Sequence, residues 1–294
     1  MIDDPSARTR RRAGLAPSSV HDHPLQRFFH AMGGKRPFDW VRFQRRDLLL
    51  IDHPLCQAVF SRQGAQLLHF QPQGERPLLW CAGQWPSSVA IRGGVVVCWP
   101  WFDSHPLDRQ APRHGWARLL EWRLADLHAD DFKVALTWQL DLEDWHLRLD
   151  VRLGRGFELD LCSYHEEDGD CLFSCALQPY WRVGALSRTS LQGVDLSAGH
   201  PLASPWRPSG AAKQVIHQPG SLILEDGGWQ RRLRIDKTGG ASTLVWHPGS
   251  RALDQLESGD AERFLCVGAA AYRPGGLSVA PGERVRLGLR AALS

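Results

Sequence analysis

His146-Leu147-Arg148-Leu149-Asp150-Val151-Arg152-Leu153 alternates polar and apolar side chains without a fault. After the turn residues Gly154 to Gly156, the segment Phe157-Glu158-Leu159-Asp160-Leu161 repeats the pattern. A period of two puts every second side chain on one face of an extended strand, so the pair reads as a β-hairpin with one face in a core and one in water. Working outward, strands are expected at Leu48 to Ile51, Ala58 to Ser61, Gln66 to Phe70, Leu119 to Leu124, Lys133 to Leu140, Ser221 to Leu224, Arg231 to Ile235 and Arg284 to Arg290. Apolar residues at helical spacing are scarce, the best short candidates being Pro24 to Met32 and Arg251 to Leu256. Many short strands separated by Gly, Pro and Asp turns predict an all-β fold, a single twisted antiparallel β-sandwich with few short helices. No fixed internal period argues for a propeller or solenoid.

At 294 residues the chain is long enough for one large sandwich, and no linker-like shift in composition follows residue 24. Residues 1–24 are expected to be a flexible tail carrying Arg8, Arg10, Arg11 and Arg12, with the sandwich spanning 25–294. Four arginines without interleaved aromatics attract nucleic acid only weakly, and 35 basic against 32 acidic residues is too even a balance for a nucleic-acid protein. No stretch approaches the roughly 20 apolar residues of a membrane span, and the N-terminus lacks the apolar centre of a secretion signal. The seven cysteines, an odd number without a CxxC pair, read as free thiols in a reducing compartment and form no metal site. Cys171 and Cys175, taken as four apart on one strand, share a face but are too distant for an easy disulfide. The expectation is a cytoplasmic monomer with no cofactor, no nucleic-acid partner and no membrane partner.

Two segments stand out from the strand background: AIRGGVVVCWPWF at 90–102 and PRHGWAR at 112–118. Each sets an arginine beside glycines and aromatics. Gly93 and Gly94 let the backbone turn freely next to Arg92, while His114 and Arg118 flank Gly115. Two guanidiniums converging on one pocket suit an oxyanion such as phosphate, although an arginine beside glycine also serves as an ordinary turn residue. Thirteen Trp against three Tyr is unusual; indole faces can cover a pyranose, but most are expected to pack in the core. The acidic run His165-Glu166-Glu167-Asp168-Gly169-Asp170 lacks the spacing of a Ca²⁺ loop and reads as a solvated hairpin turn. There is neither a GxSxG elbow nor a strand-linked GxGxxG.

With these motifs in order, the sequence resembles the glucose-6-phosphate 1-epimerase (hexose-6-phosphate mutarotase) branch of the aldose 1-epimerase superfamily. The resemblance extends to Asp52-His53-Pro54, Gln63 to Leu68, Leu79-Trp80, Leu244 to Pro248, Phe264 to Ala269 and Ala280 to Glu283, covering roughly residues 40 to 292. It implies a galactose-mutarotase type sandwich with a sugar cleft, and a reaction that interconverts the α and β anomers of a hexose 6-phosphate. In that reaction a glutamate base takes the anomeric hydroxyl proton while a histidine acid protonates the ring oxygen. By resemblance Arg92 and Arg118 hold the phosphate and His114 the phosphate or sugar hydroxyls, with Trp99 and Trp116 nearby.

The acid and base positions depart from the family. Leu177-Gln178-Pro179-Tyr180-Trp181 has Gln178 where the acid belongs, and Cys266-Val267-Gly268 has Gly268 where the base belongs. Gln has no accessible pKa and Gly has no side chain. A family aspartate has no clear match in Pro208 to Gln214, with Asp195 a candidate remnant. The chain is therefore expected to bind a phosphorylated hexose or another anionic sugar with epimerase activity lost or reduced. The alternatives are a noncatalytic regulatory relative and a mutarotase rewired around His247 or Glu262. Reinstating histidine at 178 and glutamate at 268 is expected to restore activity if the pocket is otherwise intact.

Overall fold

The computed structural model describes Leu25, Phe28, Phe29 and residues 37–87, 89–194, 205–240 and 242–294. The N-terminal tail, Asp195 and most of the candidate helix at Pro24 to Met32 lie outside these residues; within that stretch Phe28 and Phe29 are helical. Among the described residues no helix is long and apolar enough to cross a membrane.

Two antiparallel sheets form the body, with strands numbered in chain order. The nine-stranded sheet runs β1 (Phe38–Phe43), β2 (Arg46–His53), β3 (Cys56–Ser61), β4 (Gln66–Pro72), β5 (Val95–Cys98), β11 (Cys175–Arg182), β17 (Phe264–Ala271), β16 (Ser242–His247) and β13 (Ala212–Ile216). The eight-stranded sheet runs β12 (Thr189–Gln192), β14 (Leu222–Asp226), β15 (Arg231–Thr238), β19 (Val285–Leu293), β9 (Gly156–His165), β8 (Trp145–Leu153), β7 (Lys133–Leu142) and β6 (Arg123–Asp130). A ribbon of β10 (Cys171–Phe173) and β18 (Leu277–Val279) completes the set. The expected sandwich is therefore present, and the opening hairpin is β8 paired to β9, with Leu149 opposite Leu161 and Val151 opposite Leu159.

The two sheets bury different amounts of their surface. In the eight-stranded sheet, β8 and β9 alternate buried and accessible residues along their length, because only one face meets the core. That face joins Leu149, Val151, Leu159, Leu161, Leu287 and Leu289 to Leu49, Phe60, Val97, Leu177, Trp181 and Val267 of the larger sheet. The larger sheet is covered on its other face too, where Leu48, Val59, Val96, Cys98, Tyr180, Phe264 and Cys266 form a second apolar cluster with Trp80 and Trp85. Strands buried on both faces need no polar alternation. Accordingly β5, β17 and nearly all of β11 are buried throughout.

Three local expectations are corrected. Leu119 to Leu124 is not a strand: β6 begins at Arg123, and Glu121 makes only an isolated bridge to Gln63. Arg251 to Leu256 is not a helix, because Gln255 adopts a left-handed φ of 65°, which a right-handed helix cannot contain. Cys171 and Cys175 fall on separate strands, β10 and β11, either side of Ser174; no disulfide joins any of the seven cysteines.

The sheets are tied together at one corner by a buried ion pair. Asp226, whose side chain is fully buried, accepts N–H bonds from Gly184, Gly228 and Trp229, and Arg231 Nε lies 3.3 Å from its carboxylate. Arg231 also donates to the carbonyls of Pro77 and Arg182 in the other layer. Removing one partner of a buried pair leaves the other charge uncompensated. Asp226→Ala is expected to lower the unfolding free energy by about 3–5 kcal/mol in denaturant titration. A loss below about 1 kcal/mol would mean that this corner is a surface feature.

Candidate anion-binding cleft

Two loops bring the cationic side chains together over the outer face of the nine-stranded sheet. The first precedes β5. Gly93 has φ of 125°, and a Cβ there would lie 2.3 Å from Cys81 Cα, so the chain can take this path only without a side chain. Gln66 Nε2 donates to the carbonyls of Ile91 and Gly93, fixing the loop from beneath. Arg92 is then held from the 249–263 connection: its N–H donates to Gln255 Oε1 at 3.0 Å and its Nε to the Asp254 carbonyl at 2.8 Å. The left-handed Gln255 that breaks the expected helix is thus what positions Arg92. The Arg92 guanidinium also hydrogen-bonds the Tyr180 phenol.

The second loop follows β5 through the cis Trp99-Pro100 peptide. Gly115, with φ of 71°, approaches Trp99 so closely that a Cβ would sit 2.0 Å from its carbonyl oxygen. This contact places His114 and Arg118 on either side. Arg118 donates through Nε to the Arg113 carbonyl at 3.0 Å and lies within electrostatic reach of Arg92, Cys98 and Tyr180. His114 Nδ1 accepts the Asp103 N–H at 3.0 Å, which leaves its Nε2 as a donor. Burial, then the neighbouring Arg118 and Arg113, push the His114 pKa down to about 3, so the ring is neutral at physiological pH. The Asp103 carboxylate pairs with Lys213 at 2.6 Å and with Arg113. Arg113 and Lys213 pair with the Asp103 carboxylate while Arg118 lies within electrostatic reach of Arg92 and Arg113, and this excess of positive charge favours an anionic ligand.

Beneath the cations the floor is polar but uncharged. Gln178 is 6% exposed, close to Cys98 Sγ at 3.9 Å and hydrogen-bonded with Cys266. Burial pushes the Cys98 thiol up to about 12, and raises Cys266 and Tyr180 well above their ordinary values. His114 is therefore neutral, and the two thiols and the phenol of the floor keep their protons at neutral pH. At Gly268 the backbone of β11 approaches closely: a Cβ would lie 2.1 Å from the Leu177 carbonyl oxygen and 2.6 Å from Pro179 Cδ.

The structure brings Arg92, His114 and Arg118 together and leaves the remaining candidates apart. His247 is 2% exposed; its Nε2 donates to the Ala261 carbonyl at 2.8 Å, and its Nδ1 accepts the Gly249 N–H at 3.0 Å, so both ring nitrogens are occupied by backbone. Glu262 is exposed in the 3-10 turn Asp260–Arg263, before β17 starts, whereas Gly268 lies roughly 13 Å along that strand. Trp99 is fully buried between the sheets, where its Nε1 donates to Ser163 Oγ at 2.9 Å. Trp116, 41% exposed, lines a different cavity together with Trp99. Sequence reasoning missed Arg113, Lys213, Asp103 and Tyr180. Arg113 and Tyr180 stand inside the quoted motifs, but nothing local indicates that Lys213 on β13 reaches back to Asp103. Among the described residues, no group of three or more His, Cys, Asp or Glu is arranged to hold a metal.

Comparison with known proteins identifies the family and the fold. The aldose 1-epimerase family model matches residues 47–291. A candidate glucose-6-phosphate 1-epimerase of Salmonella typhimurium is 36% identical over 246 residues, 75% of this chain and 82% of the relative. Its counterpart in Escherichia coli K12 is 31% identical over 249 residues, 76% of this chain and 83% of the relative. The crystal structure of a candidate mutarotase from Salmonella typhimurium superposes with a TM-score of 0.79 at 25% identity, covering 87% of this chain and 93% of that one. Galactose 1-epimerase from Lactobacillus acidophilus shares the fold, with a TM-score of 0.66 at 11% identity over 87% of this chain and 98% of its own. The chain belongs to the aldose 1-epimerase family.

Proposed function

We propose that this chain binds a hexose 6-phosphate in the Arg92–His114–Arg118 cleft and does not efficiently interconvert its anomers. The observation that supports the reading most directly is the pairing of a cationic rim with Gln178 and a backbone-crowded Gly268 at the positions the resemblance assigns to acid and base. Arg92 and Arg118 supply charge-assisted donors to the phosphate, with Lys213 and Arg113 adding positive potential, and the neutral His114 offers Nε2–H to a phosphate or hydroxyl oxygen. The relatives named for glucose 6-phosphate favour a phosphorylated hexose over a neutral sugar.

Anomer interconversion needs an acid and a base on opposite sides of the sugar, and each typically contributes about 10²- to 10⁴-fold to the rate. Gln178 can hydrogen-bond a ring oxygen but cannot protonate it, and at Gly268 there is neither a carboxylate nor space for one. His247, with both nitrogens bonded to backbone, and the exposed Glu262 leave the rewired alternative without a group in place. The chain in this reading is a binding or regulatory relative, acting as a monomer in the cytoplasm, where seven cysteines outside disulfides suit a reducing environment.

Calorimetry separates this reading from a neutral-sugar site. Glucose 6-phosphate is expected to bind at least about tenfold more tightly than glucose, and Arg118→Ala to weaken it by about 10- to 150-fold, the loss of one charge-assisted contact. Equal affinities for the two sugars, or an unchanged Arg118→Ala, would contradict the phosphate assignment.

The close approach at Gly268 also bears on reinstating the family pair. Gly268→Ala is expected to destabilise the fold by about 1–3 kcal/mol, because the added methyl overlaps backbone rather than a flexible side chain. The double variant Gln178→His, Gly268→Glu is then expected to stay inactive, unlike the outcome anticipated from the sequence. A Gly268→Ala variant of undiminished stability in urea would show that the backbone here can part to admit a base.

A further inference from the structure

The rim of the cleft is made of donors. Arg92, Arg113, Arg118 and Lys213 carry only N–H groups, and His114 presents Nε2–H because its Nδ1 is taken by the Asp103 N–H. A phosphate dianion is satisfied by such a set, since it only accepts. A sugar is not: each hydroxyl also donates, and a hydroxyl proton buried without an acceptor is unfavourable. On the floor the Gln178 amide oxygen is a neutral acceptor, already facing Cys98 Sγ. Among the described residues, the carboxylate that meets the rim cations is Asp103.

Asp103 is held in place by its own backbone. It takes a left-handed φ of 70°, the His114 N–H donates to its carbonyl at 2.7 Å, and its N–H donates to His114 Nδ1 at 3.0 Å. Its Oδ2 meets Lys213 Nζ at 2.6 Å and its Oδ1 is buried against Arg113. Lys213 belongs to β13, which β11, β17 and β16 separate from β5 in the sheet order. To make this contact, the loop leaving β5 reaches over the strands that carry Gln178 and Gly268. Asp103 and Arg118 both act on His114 and on Cys98, which puts the carboxylate in the same cleft as the guanidiniums. The Asp103 side chain is 26% exposed, and Oδ2, bonded to Lys213 alone among the described residues, keeps a lone pair for one further donor. Burial disfavours the charged form, but Lys213 and Arg113 outweigh it and hold the carboxyl below its ordinary value. Asp103 therefore accepts hydrogen bonds at neutral pH without taking up a proton.

We propose that Asp103 is the specificity-determining residue of the cleft: its Oδ2 accepts a hydroxyl of the bound sugar while Arg92 and Arg118 hold the phosphate, so the cleft prefers a polyhydroxy phosphate to a phosphate without hydroxyls. The phosphate half of this statement rests on the function proposed above; the hydroxyl half does not. It accounts for a carboxylate at a left-handed position in a site that otherwise gathers positive charge, where a carboxylate by itself weakens the attraction of an anion.

Calorimetry of the full chain with glucose 6-phosphate, methyl phosphate and glucose tests this. Methyl phosphate has the charge but no hydroxyl. If Asp103 serves only as a counterion, Asp103→Asn leaves more positive charge free and tightens both phosphates together. The proposal predicts divergence instead: glucose 6-phosphate weakens by about tenfold, the loss of a charge-assisted contact, while methyl phosphate is unchanged or tighter. Asp103→Glu keeps the charge but moves the carboxylate outward by one methylene, and it is expected to weaken glucose 6-phosphate and leave methyl phosphate unchanged. A parallel change in the two phosphates, in whichever variant folds, overturns the assignment. Should glucose bind as tightly as glucose 6-phosphate, the phosphate reading falls and Asp103 is tested on glucose alone. Asp103→Asn must then weaken glucose by about tenfold, and an unchanged affinity overturns the proposal. No binding of any of the three compounds overturns both.

Discussion

Close approach of bare backbone at Gly93 and Gly115 is the constraint from which the cleft follows. A Cβ would fall 2.3 Å from Cys81 Cα at the first position and 2.0 Å from the Trp99 carbonyl oxygen at the second. Both glycines hold positive φ, and each locks one loop against a neighbouring chain segment. Arg92 leaves the first loop, and His114 and Arg118 flank the second, so two guanidiniums are fixed by main-chain packing rather than by ion pairs. Such fixation means that a ligand bears little of the ordering cost when it binds.

The electrostatics follow from this placement. Like charges gathered on a partly buried surface repel one another, and the structure tolerates them with one internal counterion, Asp103, shared between Lys213 and Arg113. Burial and the same arginines hold His114 neutral, so the cleft keeps its donor character across the physiological range. Under the rim the floor consists of two thiols, a phenol and an amide, and in the proposed reading Gln178 and Gly268 stand where the resemblance places the acid and the base. In the proposed reading a demand for recognition persists where the demand for proton transfer does not.

How much of this was legible depended on which face of a strand meets solvent. The eight-stranded sheet has one wet face, so β7, β8, β9 and β15 announced themselves by alternation. The central strands of the other sheet are buried on both faces, and a run such as Val95-Val96-Val97-Cys98 carries no period to detect; the family motifs, not the pattern, marked β11, β16 and β17. The arginines of the cleft were legible because each sits beside a glycine whose need for positive φ is local. The family resemblance places Trp99 near the pocket, yet one step along the chain from Cys98 reverses the face, and the indole enters the core. Lys213 and Gln255 were invisible as site residues, since their roles depend on contacts with Asp103 and Arg92, which lie far away in the chain.

The central claim, recognition without turnover, is tested most directly by exchange NMR on the two anomers of glucose 6-phosphate, with the chain at a concentration that saturates by calorimetry. The account predicts an exchange rate indistinguishable from that of the sugar phosphate alone at neutral pH. A rate that rises in proportion to the amount of chain would contradict it and require an acid and a base within reach of the bound ring.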